Sequence, residues 1–109
     1  MLADDQITVT PIQTPVLSPL SPLIPEVMGA MEKITADLWP GVPVIPIMQP
    51  GGTDGMHLRP VGIPTYGVSG LFYDIDDLRE HGKDERIGTR EFFDGLEFMY
   101  RLVKALSSN

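Results

Sequence analysis

The run His81-Gly82-Lys83-Asp84-Glu85-Arg86-Ile87 places a histidine four residues ahead of a glutamate, inside a stretch of charge. A neutral imidazole is a good metal ligand, and a nearby carboxylate can fix its tautomer. The plainer reading is a histidine on a solvated loop beside acids. A second stretch, Gly51-Gly52-Thr53-Asp54-Gly55, leads into Met56-His57-Leu58-Arg59. Backbone N–H groups at a helix start can hold a carboxylate or phosphate, and Thr53 adds a hydroxyl. The same residues also make a plain tight turn capped by Thr53 or Asp54.

Chemistry in α/β proteins sits where a strand gives way to a loop and a helix begins. The pattern around both stretches predicts that setting. Residues 6–12 alternate apolar and polar with β-branched types, which predicts a strand. Pro15, Pro19, Pro22 and Pro25 make a stiff connector. Ser21-Pro22 reads as an N-cap followed by proline at the first helical position. Leu23, Val27, Met31, Ile34 and Leu38 then recur at helical spacing until Trp39-Pro40-Gly41 stops the helix. Residues 42–48 and 62–70 predict two further strands, the former restricted by its prolines. The acidic loop with Asp74, Asp76, Asp77 and Glu80 lacks the glycine and terminal glutamate of a calcium-binding EF-hand. Thr89 caps a last helix with Glu91 in its first turn. Its core stripe is expected at Phe92, Leu96, Met99, Val103 and Leu106, thickened by Phe93, Tyr100 and Leu102. The alternation predicts an α/β layer.

The bulk composition narrows the function classes. The 109 residues suffice for one small domain, 42% apolar and 21% charged. A net charge of -7 repels phosphate backbones and argues against nucleic acid. The chain has no cysteine, which removes disulfides, thiolate zinc sites and thiol catalysis but leaves the compartment open. No apolar run approaches the ~20 residues of a membrane span, and residues 1–5 do not read as a signal peptide. All 11 prolines lie between Pro11 and Pro64, so an extended, turn-rich first half precedes a proline-free second half.

Four segments, taken in order, resemble a known family. They are Ser18-Pro19-Leu20-Ser21-Pro22-Leu23, the Gly-Gly-Thr-Asp-Gly turn, Leu58-Arg59-Pro60-Val61-Gly62-Ile63-Pro64-Thr65-Tyr66-Gly67 and His81-Gly82-Lys83-Asp84-Glu85-Arg86-Ile87. Together they resemble the C-terminal part of the zinc metallopeptidases that include aminoacylase, carboxypeptidase G, acetylornithine deacetylase and succinyl-diaminopimelate desuccinylase. The resemblance implies an α/β fold in which helices pack on a small mixed sheet. Residues 1–18 would be the last lid-domain strand and the hinge, and residues 19–109 the C-terminal part of the catalytic domain. It implies two zinc ions in a full-length enzyme, with His81 as one ligand. Gly51, Gly52 and Thr53 would hold the substrate carboxylate, with Asp54, Asp84 and Glu85 supporting the site from behind. The implied reaction is hydrolysis of an amide or peptide bond next to a free carboxylate by a metal-activated water. The substrate would be a peptide or N-acyl amino acid.

The departures are concrete. The family's other metal ligands and its general-base glutamate come from a part not present here, so no catalytic base is assigned in this chain. Many relatives carry an arginine where this chain has Gly55-Met56-His57. His57 is then either an extra substrate contact or an exposed helix histidine. These gaps make the rest of the catalytic domain an expected partner, leave zinc absent or weakly held by this chain alone, and predict self-association. The competing expectation is a non-catalytic binding or oligomerisation module that lacks a complete metal site.

Overall fold

The computed structural model describes residues 6–10, 12, 17–48 and 51–108. Its regular elements are α1 (Pro25–Leu38), α2 (Gly55–Leu58), a 3-10 turn (Arg59–Val61) and α3 (Thr89–Ser107). No described residue lies in a strand. This overturns the expected α/β class with helices on a small mixed sheet, and with it the lid strand expected at 6–12. A strand persists only when neighbouring backbone closes its N–H and C=O groups. Among the described residues no backbone hydrogen bond joins the runs at 6–12, 42–48 and 62–70 to one another. Pro43, Pro46 and Pro64 each remove a donor from those runs. Pro11, Pro15, Gln49 and Pro50 lie outside the described residues, as do the first five.

Helix α1 starts later than expected. Its N-cap is Ile24 and its first-turn proline is Pro25, with Glu26 in the first turn. Ser21 does not cap it, because the Ser21 hydroxyl is engaged by Thr65. The stop falls where expected. Trp39 N–H donates to Thr35 O at 2.8 Å and Val42 N–H to Trp39 O at 3.1 Å. Gly41 takes the positive φ of 88° that this exit requires. Helix α3 is capped by Gly88 rather than Thr89, and Glu91 sits in its first turn.

The core lies between α1 and α3. Met31, Ile34, Phe98 and Leu102 are its buried apolar residues, and none is wholly sealed from solvent. The stripe expected on α3 is rotated. Gly95, Phe98 and Leu102 face inward, whereas Phe92, Leu96 and Val103 are exposed. At about 100° per residue, apolar side chains cover roughly 220° of the α3 circumference. A single partner helix can shield only part of that arc, so the pattern alone could not say which part. Arg101 and Asp37 close the rim of the helix pair at 2.6 Å.

Trp39 seals one end of the pair. Its ring lies 5.6 Å from Phe98 and 4.8 Å, edge-on, from Phe72. The chain near Gly70 and Leu71 crosses α3 at Gly95, where an added Cβ would meet the Leu71 side chain and the Gly70 carbonyl. The result is open rather than compact. The radius of gyration is 18.1 Å, against about 13 Å for a compact domain of this length. The accessible surface is 9435 Å², against about 6,000 Å² expected for this mass. Among the described residues, no helix is long and apolar enough to cross a membrane.

Candidate functional site

The site residues fall into two clusters, one around His81 and one around Gly51–Gly55. Among the described residues no hydrogen bond or ion pair links His81 to Gly51, Gly52 or Thr53.

The first cluster is a turn held by arginines. Arg79 binds the carboxylates of Asp77 and Asp84. Arg86 reaches the other oxygen of Asp77 at 2.8 Å. Gly82 N–H closes onto Arg79 O at 3.0 Å, and Asp76 N–H onto Asp74 Oδ1 at 3.0 Å. At the tip, His81 adopts a φ of 63°, alone among the described non-glycine residues. That left-handed conformation is uncommon outside glycine, although histidine, asparagine and aspartate tolerate it better than most. The His81 side chain is exposed, and among the described residues its ring has no hydrogen-bond or ion-pair partner.

Asp84 therefore serves Arg79 rather than His81 in this structure. Glu85 is exposed, and its N–H reaches Gly82 O at 3.4 Å. Two open hollows flank the loop. The larger, of about 510 Å³, is lined by Phe72, Tyr73, Asp77, Arg86 and Glu91 among others. The other, of about 320 Å³, includes Arg79, Glu80 and Glu85. His81 lines neither.

The Arg79 guanidinium holds the Asp77 carboxyl below its usual value of 3.8, and Arg86 lowers it further. A carboxylate with a depressed pKa in the folded state stabilises that state above the ordinary value. The stabilisation is lost as pH falls through the depressed value. The brace is thus expected to stay intact at neutral and mildly acidic pH and to open in strong acid. The amide resonances of residues 76–86 should shift together only below about pH 4, while the helical circular dichroism persists. Loss of the Arg79–Asp77 and Arg86–Asp77 contacts at neutral pH, read at the Asp77 carboxylate and the arginine Nε–H signals, would contradict this account.

The second cluster joins the connector to the segment after α2. Ser21 Oγ accepts from Thr65 N–H and donates to Thr65 O, both at 2.8 Å. Tyr66 Oη donates to Pro22 O at 2.6 Å. Arg59 Nε donates to Ser18 Oγ at 2.9 Å and its Nη1 to Thr65 O at 3.3 Å. The guanidinium lies against Gly55, where a Cβ would stand 2.7 Å from Nη1. Gly51, Gly52 and Thr53 are exposed on the turn above it in sequence. Asp54 caps α2 by position but makes no side-chain cap bond. Met56 N–H and His57 N–H are already taken by Thr53 O and Asp54 O, at 2.9 and 3.0 Å. The α2 helix, at four residues, contributes little dipole. Any anion here must rely on the turn's own N–H groups, the Thr53 hydroxyl and a neighbouring cation. His57 is exposed on α2.

Sequence reasoning passed over Arg59, which ties three of the resembling segments together. The available signal was local: its helical neighbours Gly55, Met56, Gly62 and Ile63 offer no carboxylate.

Zinc needs about three protein ligands. Among the described residues no three histidine, cysteine, aspartate or glutamate side chains gather to hold a metal ion. The described residues, His81 included, do not by themselves close a zinc site. No family model matches this chain, and no solved structure matches it.

Proposed function

We propose that this chain is the His81-bearing part of a zinc-dependent amidohydrolase or metallopeptidase. The reaction is hydrolysis of an amide or peptide bond beside a free carboxylate, on a peptide or N-acyl amino acid. The remaining metal ligands and the general base belong to chain outside these residues, and the isolated chain is inactive. One observation carries the reading. His81 is held in a left-handed backbone conformation, its ring unpartnered among the described residues, on a turn fastened by three arginine–carboxylate ion pairs. A non-glycine residue in such a conformation costs about 1–3 kcal/mol and persists where its surroundings over-determine it, often at functional sites. The order of the four segments along the sequence supports the same reading.

A second reading rests on a different observation. Phe92, Phe93, Leu96, Tyr100 and Val103 leave a large apolar face of α3 exposed. Faces of that kind mark interaction surfaces, and a non-catalytic binding or oligomerisation module would use this one.

One comparison separates the two. Metal content, amidase activity and mass are measured on the longer protein carrying this chain, with His81→Ala and His81→Gly beside it. For the enzyme, both variants lose metal and activity, and His81→Gly is the more stable of the two because it relieves the backbone. Unchanged metal and activity in His81→Ala would sink the enzyme reading. Absent activity throughout, with a mass that is a multiple of the chain, favours the module.

A further inference from the structure

We infer that the exposed face of α3 docks the same face of a second copy of this chain, antiparallel about a two-fold axis. The inference rests on the module reading above and names the partner of that face.

The first observation is the period. Helix α3 has two apolar faces. Phe98 and Leu102 turn inward to the core shared with α1. The exposed residues Thr89, Phe93, Leu96, Tyr100, Val103 and Ser107 follow one another at alternating steps of four and three. That is the 3.5-residue repeat of a seam lying along another helix. Phe93, Leu96, Tyr100 and Val103 are each more than half exposed, and Phe92 borders them at 50%. The rings of Phe92, Phe93 and Tyr100 alone leave roughly 300 Å² open on each copy. With Leu96 and Val103 added, two copies reach about the 1,000 Å² of the smallest specific interfaces.

The second observation is charge. One flank of the seam carries Arg90, Glu97 and Lys104, each seven residues from the next and alternating in sign. All three are exposed. Successive members stand about 10 Å apart along their own helix, too far to pair. Among the described residues Glu97 and Lys104 have no ion-pair partner, and Arg90 has only a 3.7 Å contact with Asp94. The other flank, Phe92, Met99 and Leu106, is apolar.

These flanks select the orientation and the register. A parallel copy would lay the charges against Phe92 and Met99 and leave them unpaired. An antiparallel copy sets charged flank on charged flank and apolar on apolar. Full overlap would oppose Glu97 to Glu97 and Arg90 to Lys104, like charges in both cases. A slip of one heptad toward the N-termini instead sets Arg90 against Glu97 of the second copy, twice over by symmetry. The same slip lays Phe93 on Leu96 of the second copy and Phe92 beside its Met99. The opposite slip would pair Glu97 with Lys104 but leave both phenylalanines outside the contact. An isologous contact of this kind closes at two chains.

The test is sedimentation equilibrium of the chain from about 10 μM to about 1 mM, the range that suits a small interface. Far-ultraviolet circular dichroism checks that each variant folds. A monomer–dimer equilibrium is expected, and Leu96→Asp should abolish it. Arg90→Glu and Glu97→Arg should each weaken the dimer about three- to ten-fold, since each breaks two exposed pairs. The double variant should regain the wild-type dimer, because the reversed charges pair again. If Leu96→Asp fails to fold, the charge reversals still decide, both lying on the exposed flank. A monomer at every concentration overturns the inference. So does a dimer indifferent to Leu96→Asp, or one in which Lys104→Glu rather than Arg90→Glu rescues Glu97→Arg. A monomer that binds a different protein through Leu96 would fell this interface and leave the module reading standing. The expected dimer, beside His81-dependent metal content and amidase activity in the longer protein, would do the reverse.

Discussion

Phe98→Ala should separate α1 from α3. Phe98 is 3% exposed, one of the four buried apolar core residues among those described, and it meets Trp39 and the chain at Gly70. Truncating a buried phenylalanine costs about 3–5 kcal/mol, the transfer term plus the cavity left behind. Small domains have only about 5–15 kcal/mol of total stability, and a core this small belongs at the lower end. Most of the folded population is expected to be lost at room temperature. Chemical denaturation followed by far-ultraviolet circular dichroism measures this directly. Phe93→Ala is the control, since Phe93 is 61% exposed. Equal effects at the two positions would mean that α3 buries a different face.

The second large effect is at Gly70. Its φ is 64°, and a Cβ placed there would stand 2.6 Å from Phe98 Cγ and 2.8 Å from Phe98 Cβ. Alanine in a left-handed conformation costs about 1–2 kcal/mol. Overpacking against a fixed ring adds about 1–3 kcal/mol. The near atoms include the root of the Phe98 side chain, which cannot swing away as a chain end can. Gly70→Ala is thus expected to lose about 2–4 kcal/mol, the two terms overlapping when the backbone shifts. Gly62→Ala separates the terms. Gly62 has a φ of 87° with nothing within 4 Å of the added atom, so only backbone strain remains. A Gly70→Ala protein no less stable than Gly62→Ala would show that Phe98 does not lie beneath residue 70.

What the sequence made legible, and what it hid, follows from the range of the forces involved. Helix α3 and most of α1 were readable because a 3.6-residue period is a local property. The exit at Trp39-Pro40-Gly41 was readable for the same reason, since its chemistry lies within a few residues. Ser21 misled because its hydroxyl serves Thr65, 44 residues away, rather than the helix beside it. Residues 42–48 and 62–70 carried the right side chains for strands. A strand is a property of two backbones, and no described backbone pairs with them. On α3 the apolar arc was legible, and Met99, Leu102 and Leu106 do meet the core, but the inward turn at Phe98 was not read. Phe98 was missed because the flanking residues 92, 96 and 103 offered an equally good stripe.

The candidate site divides in the same way. His81 could be singled out by residue type and company, but its left-handed backbone could not. The engagement of Asp84 by Arg79 could not be foreseen either, since acids and bases alternate there without a unique pairing. Arg59 stood in plain view and drew no notice. Its meaning lies in Ser18 and Thr65, which only the fold brings to it.

The unpaired run at 42–48 bears on which contacts such a chain can make with its own copies. Ile45, Ile47 and Met48 are all more than two-thirds exposed. Apolar and open, this is the kind of run that can recruit copies of itself into cross-β stacks when its backbone extends. Pro43 and Pro46 stand inside it, three residues apart. Successive prolines at odd spacing point their missing donors toward opposite sides of an extended backbone. A neighbour approaching from either side therefore meets a gap in the hydrogen-bond row. Prolines so placed are of the gatekeeper kind, which disfavours use of an apolar segment as a template for fibril growth.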